Sequence, residues 1–190
     1  MTRHFGVLIP STNRTVEIEC RLVPATYQAH VGRLKSSGGS AGAGVPALTS
    51  AQAIGRAVRA LGARRIAVVS PYSGEVNARA ARYFKDKHGL ETVALEGFGA
   101  TDAYAIGQLG PQHAREAFAR IDRPEIEVFV VPGGNFPTMS SIASWEREFG
   151  KPVVTTNQAS LWAMLRAFDG ADRLPAFGRL LAELPPSASR

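Results

Sequence analysis

The chain has 190 residues, 45% hydrophobic and 20% charged, with 22 basic and 16 acidic side chains and a net charge of +6. That size suits one domain with a substantial core, and the composition is that of an ordinary globular protein, not a disordered one. A single cysteine, Cys20, excludes a disulfide framework, and His4, His30, His88 and His113 stand apart in the sequence, without the clustered spacing of a metal site.

In chain order, Phe5–Ile9 reads as an apolar strand that ends in the polar run Pro10-Ser11-Thr12-Asn13-Arg14-Thr15. A helix follows from about Val16. Cys20 lies on it and reads as a buried small apolar residue, while Glu17 and Glu19 complement the helix dipole. Tyr27–Leu34 is a second strand, and the glycine-rich stretch 36–44 is structureless by composition. Thr49–Leu61 is a helix, capped by Thr49 or Ser50, with Ile54, Val58 and Leu61 on one face and Gly62 as its terminator. Ile66–Val69 is a buried strand leading to Ser70-Pro71-Tyr72-Ser73. A helix over Gly74–His88 stops at Gly89, a strand covers Leu90–Leu95, Gly97–Thr101 is a loop, and Pro111–Arg120 is a helix.

Val128–Val131 is a continuous run of β-branched and aromatic residues, the pattern of a strand buried on both faces. Pro132-Gly133-Gly134-Asn135 breaks it. Thr138 or Ser140 caps the next helix, whose Ile142, Trp145 and Phe149 recur at helical spacing. After Gly150-Lys151-Pro152, Val153-Val154 is a short strand, and Thr155-Thr156-Asn157-Gln158 opens a helix with Leu161, Trp162 and Leu165 on its apolar side. Beyond Pro175 one short helical stretch and a polar end predict a peripheral turn or disorder.

This alternation of strands and helices implies an α/β fold, a parallel sheet with helices on both faces. All strand-end loops then lie along one edge, the edge at which such folds bind ligands. Four of them, at 10–13, 70–73, 132–135 and 155–158, are polar, uncharged and rich in hydroxyls and amides, and helix N-termini beside them favour an anion. Neither GxGxxG nor GxxxxGK[ST] is present, so no nucleotide cofactor is expected. The basic residues are scattered, without a tract interleaved by aromatics, so the charge suits small anions and not nucleic acid. No apolar run is long enough to span a bilayer, and the apolar core of MTRHFGVLIPSTN is too short for a secretory signal; with one cysteine, this predicts a cytoplasmic protein with no membrane partner.

Three blocks resemble the Asp/Glu racemase superfamily, in the branch of maleate cis–trans isomerases and arylmalonate decarboxylases: GVLIPSTNRTVE at 6–17, ARRIAVVSPYSGEVNARAARYF at 63–84, and VFVVPGGNFPTMSSIASWEREFGKPVVTTNQASLW at 128–162. The resemblance implies two pseudo-symmetric α/β lobes with a site in the cleft between them. Residues 1–190 would form one α/β domain, with lobes at about 1–62 plus 152–175 and 63–151. It further implies cofactor-independent isomerisation, racemisation or decarboxylation of a small carboxylate, with thiols acting at the carbon beside the carboxylate. By the same resemblance Ser11, Thr12 and Asn13 match the opening-loop binders, Tyr72 the substrate-contacting tyrosine with Ser73 beside it, Gly133, Gly134 and Asn135 the third-block loop, and Asn157 and Gln158 the last loop. Two departures stand out. Gly133 occupies the position of the second-lobe cysteine, and between Arg33 and Val45, where the family has the strand that carries the first thiol, this chain has only a short stretch dominated by SSGGSAGAG. The first lobe is therefore expected to be incomplete. An enzyme of this kind would work without cysteine, using Tyr72 or a water for proton transfer; the other reading is a non-catalytic carboxylate-binding protein. A homo-oligomer is left open.

Overall fold

The computed structural model describes residues 2–10, 12–34 and 48–186. Its strands all run parallel, in two sheets. The smaller pairs β1 (Arg3–Pro10) with β2 (Tyr27–Leu34), in a register that sets Arg3 against Tyr27 and Ile9 against Arg33. The larger has the order β4-β3-β5-β6, from β3 (Arg65–Ser70), β4 (Glu91–Gly97), β5 (Val128–Val131) and β6 (Val153–Thr155). The parallel α/β class read from the alternation of elements is the observed one.

A helix follows β1 only briefly. α1 (Val16–Glu19) has four residues and passes into a 3-10 turn over Cys20–Leu22. α2 (Ser50–Ala60) starts at a capping box, in which the Gln52 N–H donates to Thr49 Oγ1 at 3.3 Å and the Thr49 N–H donates to Gln52 Oε1 at 3.0 Å. Gly62 and Gly89 both adopt positive φ, 79° and 63°, and close α2 and α3 (Gly74–His88) as expected.

β3 connects to β4 in one direction across the sheet, while β4 to β5 and β5 to β6 run in the other. Right-handed crossovers then place α3 on one face, and α5 (Pro111–Ile121) and α6 (Ile142–Phe149) on the other. Rings lock this second face: Phe118 of α5 stacks on Phe129 of β5 at 4.5 Å between centroids and meets Trp145 of α6 edge-on at 5.3 Å. α2 packs against both α3 and α7 (Thr156–Ala167). The loop after β4 holds a further short helix, α4 (Ala103–Gln108), capped by Asp102.

Two expectations are corrected. β6 pairs with β5, so the strand of segment 152–175 lies in the larger sheet and not with β1 and β2. The stretch beyond Pro175 is integral as far as residue 186, the polar end at 187–190 lying outside the described residues: Leu180 and Leu181 of α8 (Arg179–Glu183) are fully buried, Gln158 Nε2 donates to the Phe177 carbonyl at 2.7 Å, and Trp162 Nε1 donates to the Pro185 carbonyl at 3.0 Å. Two leucines in a five-residue helix are a weak pattern, but they land on the core. The glycine-rich stretch at 36–44 lies outside the described residues. Among the described residues no helix is long and apolar enough to cross a membrane.

Candidate functional site

Within the larger sheet parallel strands put the loops after β3, β5 and β6 at one edge, and the loop after β1 meets them there, with the Arg14 N–H donating to Asn135 Oδ1 and Thr15 Oγ1 donating to the Asn135 carbonyl. Ser11 lies outside the described residues. Thr12 is exposed. Asn13 is buried and acts first as a cap: its Oδ1 accepts the N–H groups of Thr15 at 3.1 Å and Val16 at 2.9 Å.

After β3 the chain turns sharply. The Tyr72 N–H donates to Ser70 Oγ at 3.1 Å, and the Tyr72 carbonyl accepts Asn77 Nδ2 at 3.0 Å and the Gly99 N–H at 3.3 Å. The backbone of Tyr72 is thus clamped from three sides. Its phenol is half-buried and has no hydrogen-bond partner among the described residues. Burial pushes that phenol above its ordinary pKa, so it is neutral near pH 7 and able to donate. Ser73 beside it is exposed.

The loop after β5 carries the clearest signal. Gly133 has φ +110°, and a Cβ added there would sit 2.8 Å from Pro71 Cγ. Backbone and space both exclude a side chain, so a thiol cannot occupy position 133 in this loop conformation. The Gly133 N–H donates to Thr156 Oγ1 at 2.9 Å. The backbone N–H groups of Gly134 and Asn135 donate to nothing among the described residues, which leaves two adjacent donors without a protein partner there.

The Asn135 side chain, 6% exposed, is in contrast fully committed to the scaffold. Its Oδ1 accepts the Arg14 N–H at 2.8 Å, its Nδ2 donates to the Ala103 carbonyl at 2.7 Å, and its own carbonyl accepts Thr15 Oγ1 at 2.9 Å. It ties together the loops after β1, β4 and β5. Gln158 is likewise structural: it is fully buried, with Oε1 accepting the Thr155 N–H at 3.2 Å and Nε2 on Phe177.

Asn157 is half-buried. Its Nδ2 donates to Glu19 Oε2 at 2.5 Å and to the Gly134 carbonyl at 3.1 Å. Glu19, taken from the sequence as a dipole complement, is instead a buried junction residue, whose Oε1 also accepts the N–H groups of Thr138 and Met139, both at 3.1 Å. A signal for it existed: helical spacing sets Glu19 on one face with Val16 and Cys20, an acid in an apolar stripe. Cys20 itself is half-buried, and burial together with the Glu19 and Glu17 carboxylates pushes its thiol up to about 11. It is therefore no nucleophile near neutral pH. His4 and His30, separate in sequence, meet across β1 and β2 with ring nitrogens 2.9 Å apart. Among the described residues no group of three or more His, Cys, Asp or Glu could hold a metal ion.

A parallel fold of this shape is that of the maleate isomerases. The maleate cis–trans isomerase of Nocardia farcinica, solved with a covalently bound succinylcysteine intermediate, superposes with a TM-score of 0.85 at 22% identity, covering 96% of this chain and 99% of that one. The arylmalonate decarboxylase of Bordetella bronchiseptica is 29% identical over 143 residues, 74% of this chain and 59% of the relative. The maleate isomerase of Pseudomonas putida is 30% identical over 138 residues, 72% and 55% respectively. A family model described as arylmalonate decarboxylase matches residues 30–181. The chain belongs to the arylmalonate decarboxylase family, and it spans less than two thirds of the length of these two curated relatives.

Proposed function

We propose that this protein binds a small carboxylate at the strand-end edge and acts on it without a cofactor or a thiol, and that decarboxylation of a malonate-type acid is the reaction its residues fit best. The observation behind this is the pairing of the open Gly134 and Asn135 N–H groups with the unpartnered Tyr72 phenol, on loops that touch through Pro71 and Gly133. Loss of CO₂ breaks one C–C bond and leaves its electron pair on the remaining carboxylate as an enediolate. Backbone N–H donors stabilise that charge where it grows. The carbanionic carbon then needs only an acid, and the neutral Tyr72 O–H supplies the proton; the phenolate regains it from water. Thiol addition to a double bond needs a nucleophile and racemisation needs a base. Gly133 offers neither, and the Cys20 thiol is held protonated.

A specific observation favours a second reading, a binding protein without turnover: the family's cysteine position is closed here by Pro71. Incubation with phenylmalonate and with maleate, followed by proton NMR, separates the two. Appearance of the monoacid from phenylmalonate supports the decarboxylase reading. Ligand line broadening without product supports the binding reading, and no response to either acid contradicts both.

A further inference from the structure

Glu19 is enclosed by the strand-end loops, yet no step above uses it. Its two oxygens, 7% exposed as a residue, face three donors: the Thr138 and Met139 N–H groups on Oε1 and Asn157 Nδ2 on Oε2. Three donors on two oxygens call for an acceptor-only group, an ionised carboxylate. A glutamine amide in either orientation turns its own N–H₂ toward a donor. The Asn157 amide is fixed in consequence. Its Nδ2 is shared between Glu19 and the Gly134 carbonyl, and its Oδ1 lies 3.1 Å from where a Cβ on Gly134 would stand.

We propose that Glu19 is the positioning residue of the carboxylate site: its carboxylate holds Asn157 and the 138–139 backbone in place, and through Asn157 it sets the Gly134–Asn135 peptide, whose N–H is one of the two donors offered to the ligand. The ligand part of this rests on the carboxylate-binding reading; the orientation of Asn157 does not. The surrounding elements add little charge. Segments 138–141 and 155–158 carry no ionisable side chain. On α1 and the turn after it, Cys20 is neutral, and Glu17 pairs with Arg21 at 3.6 Å; Arg14, upstream, is exposed.

Burial raises the Glu19 pKa above the ordinary 4.5, outweighing the three hydrogen bonds that lower it. The sign of the linkage separates positioning from stability. A carboxyl raised in the folded state contributes stability that is present below the ordinary value and lost as pH rises through the folded one. Acidification therefore does not weaken the fold through Glu19, but protonation removes an acceptor and releases Asn157. Ligand affinity should fall with pH where thermal stability does not.

The test uses the ¹⁵N-labelled full chain. The side-chain N–H₂ signals of Asn157, assigned by their loss in Asn157→Ser, are followed from about pH 8 to about pH 4, a window spanning the ordinary glutamate value. The expected result is a titration with its midpoint above 4.5, and in Glu19→Gln the acid-form signals at every pH. Maleate serves as the binding probe; its affinity should drop about tenfold in Glu19→Gln, the equivalent of one charged hydrogen bond. Asn157 signals indifferent to both pH and Glu19→Gln overturn the inference, and the wild-type titration delivers that result even if the variant fails to fold. Titrating signals with no maleate binding by the wild type support the Glu19–Asn157 coupling and overturn the carboxylate-site reading alone.

Discussion

In the larger sheet Ile66, Val69, Phe129 and Val153 are fully enclosed between helix layers, whereas in the smaller sheet Leu8 is 58% exposed and, among its described residues, Ile9 and Tyr27 are the buried apolar ones. The larger sheet is held by apolar burial. The smaller has less apolar contact, with Tyr27 in the common core and Phe5 against it, and adds polar stitches: Asn135 to the loop after β1, Glu19 to the loops after β5 and β6, and, to the segment after α7, Arg3 Nη1 to the Phe168 carbonyl at 2.7 Å and Tyr27 O–H to Asp172 Oδ2 at 2.7 Å. Hydrogen bonds contribute little net stability each but fix position sharply, and leaving one partner buried and unmet is costly. The candidate site lies where two of these stitches, Asn135 and Glu19, meet at the strand ends, so they join the sheets and also shape the site, while Arg3 and Tyr27 join them at the opposite ends of β1 and β2.

Substitutions can break this contrast, starting with the largest expected effect. Phe118→Ala removes a ring from between α5, α6 and β5 and should cost about 3–5 kcal/mol in denaturant unfolding, as truncation of a buried aromatic does. Asn135→Ala should cost about 2–3 kcal/mol, since it leaves the Ala103 carbonyl and the Arg14 N–H unmet. Its loss should be local: hydrogen exchange accelerates in β1 and β2 before β3 and β5. Equal acceleration in both sheets would contradict the division into stitched and buried parts. Tyr27→Phe deletes one hydrogen bond and should cost about 1 kcal/mol, with exchange again affected first in the smaller sheet.

The smallest effect is one of pH. The Arg64 and Arg65 N–H groups, then the Arg65 guanidinium, lower the Glu127 carboxyl from 4.5 to about 2. A depressed carboxyl contributes stability that is present above its ordinary value and lost as pH falls through the folded one. The melting temperature of the wild type should therefore decline between these two values more steeply than that of Glu127→Gln. The group is exposed, so solvent screening keeps the difference small.

Most of the fold was legible in the sequence because buried parallel strands leave unbroken apolar runs and long helices leave terminators: Val128–Val131 and Gly74–His88 match the observed elements residue for residue, as does the more polar strand Tyr27–Leu34. Less legible were elements whose signal is short. α4 and α8 have six and five residues, too few for periodicity to register, and β6 has three, so its sheet partner depends on tertiary pairing. In the site, residue types were readable but directions were not. Asn135 and Gln158 carry the amides a ligand would use, yet they spend them on backbone groups. Glu19 reads as a helix-dipole complement until the loops after β5 and β6 are folded over it.

The central claim is that Tyr72 protonates an enediolate formed on a small carboxylate. Phenylmalonate turned over in D₂O by the wild type and by Tyr72→Phe tests it most directly, with proton NMR reading both CO₂ loss and deuterium at the α-carbon. The account predicts monodeuterated phenylacetate from the wild type and a rate at least about a hundredfold lower for Tyr72→Phe, the low end of what a positioned proton donor contributes. Equal rates in the two proteins, or no product from the wild type with ligand still bound, would contradict it.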